Sequence, residues 1–136
     1  MKLVKDIIGT FIGGVLEVWQ LPQHIVAWIL MAVLHPVCSG TSHYHGLEIF
    51  YSRIIKSAFT LGKFSFCEPA VTRKGVNHEY GHYRQSMILG PLYLLVIAIP
   101  SALHYLWIKL KRLAGIYPEY YTFYTERWAE RLKWKD

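Results

Sequence analysis

Acidic residues and cysteines are scarce in this chain of 136 residues. Nine Asp and Glu residues stand against fifteen Lys and Arg residues, which gives a formal net charge of +6. The two cysteines, Cys38 and Cys67, cannot build a disulfide framework. One bridge between them is possible, but two free buried thiols are the simpler interpretation. A zinc site that uses both thiols would lack the usual paired spacing of ligands.

Continuous or glycine-interleaved runs of basic residues are also missing, which argues against a nucleic-acid partner despite the positive charge. The N-terminus does not resemble a signal peptide, because Asp6 and Glu17 interrupt the apolar run that follows Lys2. No repeat or low-complexity tract divides the sequence. We therefore expect a single domain over residues 1–136.

Charged side chains are absent from two long stretches, Val18 to Gly46 and Gln85 to Ile108. A membrane-spanning helix needs about 20 mostly apolar residues, so both stretches are long enough. Prolines interrupt them, but membrane helices tolerate proline better than soluble helices do. We expect an integral membrane protein, located in the bacterial inner membrane; the alternative is a soluble domain that buries two helices.

The hydrophobic pattern predicts a mainly α fold, a membrane-embedded helical bundle with a minor β strand or hairpin. The alternating side chains of residues 57–67 predict that hairpin. Asn77 is the predicted N-cap of the third helix, and Gly90-Pro91 is its predicted end. The segment "HPVCSGTSHYHG" is predicted to be a loop from its composition. The predicted helices cover residues 3–20, 23–35, 76–89, 91–113 and 119–133.

The stretch "NHEYGHYRQ" contains the main candidate for chemistry. His78 and His82 lie one helical turn apart, so both imidazoles leave the same face of the helix and can reach one zinc ion. Glu79 follows the first histidine and can take a proton from water beside the metal. This spacing predicts a catalytic zinc site with Glu79 as the general base.

A catalytic zinc needs a third protein ligand and one open position. Downstream, "TERWAERL" places Glu126 and Glu130 four residues apart on one helical face. Glu126 can ligate zinc. Glu130 can accept a hydrogen bond from the free N–H of a ligand histidine, which would fix the orientation of that ring.

Together, His78-Glu79-Tyr80-Gly81-His82 and Glu126-Arg127-Trp128-Ala129-Glu130 resemble the HExxH…ExxA(D/E) pattern of gluzincin metallopeptidases. They are similar in particular to membrane-embedded members such as the CAAX-prenyl endopeptidases. The resemblance covers about ten residues and implies an α+β zincin core. It also implies His78, His82 and Glu126 as zinc ligands and Glu79 as base, whereas Glu130 stands where the family usually has Asp.

These observations predict a zinc metalloendopeptidase that hydrolyses a peptide or protein substrate at the membrane. An alternative from another class is a polytopic membrane protein that acts in interaction or assembly and holds zinc structurally or not at all. A thiolate from Cys38 or Cys67 in the fourth coordination position would favour that alternative. A third possibility is a regulator that retains an inactive zincin fold.

Several further residues are candidates for supporting roles. His43 and His45, with Cys38 nearby, could form a second metal site, although loop histidines more often bond to the backbone. Residues 57–67 could bind substrate as an added strand or could merely cover the core. The candidates for stabilising an oxyanion are Tyr120, Tyr121, Tyr124, Arg127 and His104.

Overall fold

A computed structural model describes residues 1–119 and 123–135 of the chain. Most of these residues are helical, and a small four-stranded sheet lies among the helices. The mainly α fold with a minor β element is thereby confirmed. The elements are α1 (Lys2–Trp19), α2 (Leu21–Leu34), β1 (Cys38–Tyr44), β2 (Leu47–Ser52), β3 (Phe59–Leu61), β4 (Phe64–Cys67), α3 (Arg73–Leu89), a π-helical turn (Leu94–Ala98), α4 (Ile99–Leu113) and α5 (Tyr124–Leu132).

The sheet has the strand order β1-β2-β4-β3. β1 and β3 are its two edges and pair antiparallel with their neighbours, whereas β2 and β4 run parallel. The hairpin predicted within residues 57–67 is present as β3 and β4. The predicted loop before it is wrong, because residues 38–44 form β1. This strand contains few apolar residues, and its backbone pairing with β2 holds it in place.

Two hydrophobic clusters cover the two faces of the sheet. On one face, Phe50 and Phe66 pack with Ala27 of α2 and Ile97 of the π-helical turn. The cluster on the other face contains Leu47, Ile49 and Cys67 with two side chains of α3, Val76 and Tyr80. The sheet is therefore held between α2 with the π-helical turn on one side and α3 on the other.

Helix α3 carries His78 and His82, and its first residue differs from the predicted one. Thr72, not Asn77, is the N-cap, and its hydroxyl accepts a hydrogen bond from the Gly75 N–H at 3.1 Å. Asn77 instead lies inside the helix and bonds through its amide to the backbone of Trp134. The predicted end is correct, because Gly90 follows the last helical residue.

Gly90 turns the chain away from α3 with a φ of +55°, a conformation that disfavours side chains with a Cβ. The indole of Trp19 fills the space where a Cβ would stand, at 2.1 Å. This turn sends the chain into the π-helical turn and α4.

One continuous helical run, Leu94–Leu113, is long and apolar enough to cross a membrane, and only 11% of it is buried. The predicted helix over 91–113 therefore exists, with a π-helical turn before Pro100. Helices α1 and α2 pass the same test only as a pair, and they are bent by 77°. The charge-free stretch from Val18 to Gly46 is not one span, since α2 ends at Leu34 and β1 follows.

Helix α5 is shorter than predicted and begins at Tyr124 rather than at residue 119. It packs along α3, and a hydrogen bond of 2.8 Å joins the Ser101 hydroxyl of α4 to the Thr125 hydroxyl. α5 therefore contacts both the histidine helix and the apolar helix.

Candidate metal centre

Three side chains meet in the interior between α3 and α5. One oxygen of Glu126, Oε2, lies 2.6 Å from Nε2 of His78 and 3.2 Å from Nε2 of His82. All three side chains are buried, with exposed fractions of 1% for Glu126 and 6% for each histidine. The structure thus brings together the three residues that the sequence predicted as metal ligands, 44 and 48 positions apart along the chain.

The outer nitrogens of both rings are also bonded. Nδ1 of His78 lies 2.6 Å from Oε1 of Glu130, and Nδ1 of His82 lies 2.7 Å from Oε1 of Gln85. A carboxylate or amide oxygen at this position accepts a hydrogen bond from Nδ1–H, so that Nε2 is the nitrogen available to a metal once the ring is neutral. Glu130 therefore stands where the sequence placed it, despite the longer side chain.

Close contact between α3 and α5 makes this meeting possible. A Cβ on Gly81 would lie 2.0 Å from the carbonyl oxygen of Ala129, so only glycine fits there. Ala129 itself is fully buried. Because Gly81 lies between the two histidines and Ala129 lies between the two glutamates, this pair sets the spacing of all four side chains.

Charge is concentrated at the centre. Burial alone would lower the pKa of His82, but the Glu126 carboxylate beside it outweighs burial and raises the pKa to about 9. The pKa of His78 is raised by the same carboxylate against the same effect of burial. Burial would raise the pKa of Glu126, yet its bonds to the two rings hold it well below its usual range. The carboxylate is therefore ionised at neutral pH.

Glu79 lies beside these residues without bonding to them. One ligand atom from each of His78, Glu79 and His82 falls within 4.8 Å of the others. Oxygen Oε2 of Glu79 instead accepts a hydrogen bond of 2.6 Å from the hydroxyl of Thr60, on the edge strand β3. Its position matches the predicted place of a base next to the metal ligands.

Two cavities open onto the centre. The larger, about 670 Å³, is mostly apolar and is lined by His82, Glu126, residues 54–61 and one face of the run from Leu94 to Lys109. The smaller, about 290 Å³, is more polar and reaches His78, Glu79 and Glu126. Ser57, Ala58 and Glu126 line both, so the cavities adjoin at the centre.

The other predicted metal cluster does not assemble. His43 is exposed on β1, and the ring of His45 stacks on Trp134 with centroids 3.7 Å apart. Among the residues that the structure describes, one group of His, Cys, Asp and Glu has three ligand atoms that all lie within 4.8 Å of one another, and it consists of His78, Glu79 and His82. Neither cysteine belongs to it. Burial raises the pKa of Cys67 to about 12, which keeps that thiol protonated.

The candidates for stabilising an oxyanion lie elsewhere, as far as they can be placed. The Tyr124 hydroxyl donates to the carbonyl of Val96 at 2.6 Å, and the ring of His104 stacks on Phe123. Arg127 is exposed, and none of the three lines either cavity. Tyr120 and Tyr121 are outside the described residues.

The donor set fits a divalent metal ion. Zinc–ligand distances of about 2.0–2.1 Å in a tetrahedral site imply ligand atoms about 3.3 Å apart. The separation of 3.2 Å between His82 Nε2 and Glu126 Oε2 matches this value, and the 2.6 Å between His78 Nε2 and the same oxygen must open slightly. Two imidazoles and one carboxylate are ligands that zinc accepts.

Comparison of the chain with protein-family models, curated proteins and solved structures finds no match.

Two residues of the centre were not singled out from the sequence. Gln85 stands three positions after His82 on the same helical face, so its spacing alone could have identified it. Thr60 lies 19 positions from Glu79 on a short strand, and no local pattern links the two. Its role follows only from the packing of β3 against α3.

Proposed function

We propose that this protein is a small membrane-embedded zinc metallopeptidase, with His78, His82 and Glu126 as metal ligands. The observation that carries this proposal is the convergence of both Nε2 atoms on one Glu126 oxygen while each Nδ1 atom bonds to a side-chain oxygen. Such outer bonds are the usual partners of metal-ligating histidines.

Zinc at this place would lower the pKa of water to about 7 and polarise the carbonyl of a peptide bond. Glu79 is the proton carrier. It takes a proton as the water oxygen attacks the carbonyl carbon, and it returns the proton to the amine nitrogen as the C–N bond breaks. Glu130 and Gln85 hold the histidine rings in place. The products are a carboxylic acid, which then releases its proton to solvent, and a free amine.

The resemblance of the two motifs to gluzincin metallopeptidases, and the order of the motifs in the chain, support this assignment. In the structure the motifs lie on α3 and α5, which pack against each other. The minor sheet beside α3 is compatible with a zincin-like core. Membership of that family is part of the proposal.

The exposed apolar helices support a location in the membrane, and we assign the bacterial inner membrane. Leu95, Leu103 and Leu113 along the spanning run are 66%, 62% and 85% exposed. Lys109, Lys111 and Arg112 at its end fit the cytoplasmic side by the positive-inside rule. Leu3 and Phe11 of α1 are 70% and 71% exposed.

The larger cavity is the proposed place of the substrate, because it is apolar and reaches Glu126 and His82. The sequence left two roles open for residues 57–67, binding substrate as an added strand or covering the core. At Thr60 of β3, one contact favours covering the core. The carbonyl of Thr60 already accepts a hydrogen bond of 2.7 Å from the buried Tyr93 hydroxyl. Substrate backbone would instead run beside Ser57 and Ala58, which line both cavities.

The metal content of purified protein tests the ligand set. Wild type should contain about one zinc ion per chain, and replacing His78, His82 or Glu126 by alanine should remove most of it. The matched control is the double variant His43→Ala/His45→Ala, which should retain zinc. Zinc lost from this control and kept by Glu126→Ala would overturn the assignment.

Glu79→Gln then separates an enzyme from a structural metal protein. The variant keeps the size of the side chain and removes the base, so cleavage of membrane-derived peptides should fall about 10²–10⁴-fold with zinc retained. Glu48→Gln, on β2 and away from both cavities, is the matched control and should cleave as wild type does. Equal cleavage by wild type and Glu79→Gln would favour the interaction or assembly protein with a structural zinc.

A further inference from the structure

Thr60 makes the one short contact between the sheet and the carboxylate of Glu79 among the described residues. Its hydroxyl donates to Glu79 Oε2 at 2.6 Å, and both residues are 4% exposed. A hydrogen bond to a carboxylate in such a buried place is charge-assisted and short, the stronger class of such bonds. It ties one oxygen of Glu79 to β3.

The position of Glu79 relative to the histidines makes this bond consequential. A ligand atom of Glu79 lies within 4.8 Å of those of His78 and His82, so its carboxylate is close enough to become a metal ligand itself. A catalytic zinc keeps one position open, whereas a structural zinc has all four filled by the protein. Whether Glu79 ligates the metal or stands beside it therefore decides which kind of site this is.

We propose that Thr60 is a positioning residue that holds Glu79 away from the metal and so keeps the fourth position open. This inference rests on the proposed function, since it assigns the residue that keeps the site catalytic. Thr60 occupies Oε2 and leaves Oε1 for the proton. Without the hydroxyl, the carboxylate has no partner on β3 and can turn towards the metal.

Thr60 is itself fixed from two sides. The buried Tyr93 hydroxyl donates to its carbonyl at 2.7 Å, and the Thr60 hydroxyl also lies 3.2 Å from the hydroxyl of Ser65 across the hairpin. Ser65 is fully buried and pairs with Thr60 in the β3–β4 register. The hydroxyl therefore has a defined position relative to α3, as a positioning group requires.

The test compares Thr60→Val, which removes the hydroxyl at nearly constant shape, with Thr60→Ser, which keeps it. Ser52→Ala is the matched control, because it removes a buried hydroxyl of the same sheet that donates to the Val37 carbonyl and contacts neither Thr60 nor Glu79. Each protein is loaded with Co²⁺ in place of zinc, and its visible absorption and its affinity for Co²⁺ are measured. Values of kcat and KM for peptide cleavage are then measured on the zinc forms.

With Thr60→Val, we expect a changed Co²⁺ spectrum and an affinity equal to or above that of wild type, as Glu79 becomes a ligand. We expect kcat to fall about 10- to 100-fold with KM changed less than about threefold, since misplacing a reacting group by about 1 Å can cost this much. Thr60→Ser and Ser52→Ala should keep the wild-type spectrum and lose less than about threefold in kcat.

The outcomes distinguish a failure of the proposed function from a failure of the role proposed for Thr60. Wild-type protein that binds no Co²⁺ through His78 and Glu126 overturns the proposed function, and this inference with it. Wild type that binds Co²⁺ while Thr60→Val shows the same spectrum, affinity and kcat overturns the role of Thr60 alone. If Thr60→Val does not fold, Thr60→Ala removes the same hydroxyl without adding a methyl group and is judged by the same criteria.

Discussion

The region between α2, α3 and α5 and the surface of α1 and α4 have opposite polarity. Polar side chains fill the first: Gln20, Gln23, Gln85, Ser86 and Glu126 are all at most 2% exposed. Apolar side chains cover the second, and none of the 18 residues of α1 is buried. In α4 only Ile108 is buried.

The two regions differ in where their side chains find partners. The buried polar side chains find theirs inside the protein. The buried amides of Gln20 and Gln23 both bond to the Ser86 hydroxyl, and Gln23 also donates to the Gly90 carbonyl at 2.9 Å. Such networks are expensive to leave incomplete and specify one arrangement. The exposed apolar side chains of α1 and α4, by contrast, form no hydrogen bonds with water, and large exposed apolar surfaces mark contact with a membrane or a partner. The polar region thus holds the candidate site, and the apolar region is the part that the membrane proposal places in lipid.

Adding one methyl group to each region, by a glycine-to-alanine substitution, should give the largest difference in stability between them. Gly81→Ala places a Cβ 2.0 Å from the Ala129 carbonyl oxygen, so α3 and α5 must separate. We expect a loss of about 3 kcal/mol or more in the free energy of unfolding, together with loss of metal binding. Denaturant unfolding in detergent and metal analysis measure both.

The matched control is Gly13→Ala on the exposed helix α1, where nothing lies within 4 Å of the added Cβ. It should stabilise the helix by up to about 1 kcal/mol. Equal effects of the two substitutions would show that the close contact of α3 and α5 is not what holds the site together.

A charge placed on the apolar surface tests its environment. Leu103 is 62% exposed near the middle of the spanning run. In a bilayer, Leu103→Lys should cost about 2.5–3.5 kcal/mol and reduce membrane insertion, as measured by the protein recovered from the membrane fraction. Ile116→Lys, beyond the run and 51% exposed, is the control and should insert normally. Recovery of wild type as a monodisperse species without detergent would contradict the membrane proposal.

The pH dependence of metal affinity should show a smaller, graded effect from the polar region. His82 must lose its proton to bind a metal, and its pKa is raised to about 9 in the protein. Zinc affinity should therefore keep rising between pH 6.5 and 9, by up to tenfold per pH unit for each proton released. Titration against a competing chelator measures this slope. A plateau above pH 6.5, where an ordinary histidine is neutral, would contradict the raised pKa.

The same raised pKa has the opposite consequence when metal has been removed with a chelator. The His82–Glu126 pair then contributes stability that is complete below about pH 6.5 and is lost as the pH rises through about 9. Glu126 adds no slope in this range, because its lowered pKa keeps it ionised throughout.

The helical part of the fold could be read from the sequence because its signals are local. The helix periods, the Gly90-Pro91 end and the four-residue spacings of the site residues each lie within one segment. Strand β1 could not be read in this way. Its side chains alternate between half-buried and exposed with little apolar content, and only pairing with β2 makes it a strand.

Contacts across the chain explain the other differences. Asn77 looks like a cap by composition, but Thr72 starts the helix earlier and frees Asn77 to bond with Trp134. The bond between Thr60 and Glu79 joins β3 to α3, and no spacing in the sequence encodes it. Local patterns therefore predicted residues that the structure brings together, whereas the partners that orient them follow from tertiary packing.

The bond between Tyr124 and Val96 ties the apolar helix to α5, which carries the proposed ligand Glu126. In a regular α-helix, the Val96 carbonyl would bond to the N–H of residue 100, which is proline and has none. The hydroxyl of Tyr124 donates to this carbonyl at 2.6 Å. Tyr124 lies two residues before Glu126 in the chain. This hydrogen bond thus links the run from Leu94 to Leu113 to the start of α5. In the proposed membrane location, a tilt of this helix to match a thicker or thinner bilayer would pull the start of α5 with it, and lipid composition would then affect the geometry around Glu126.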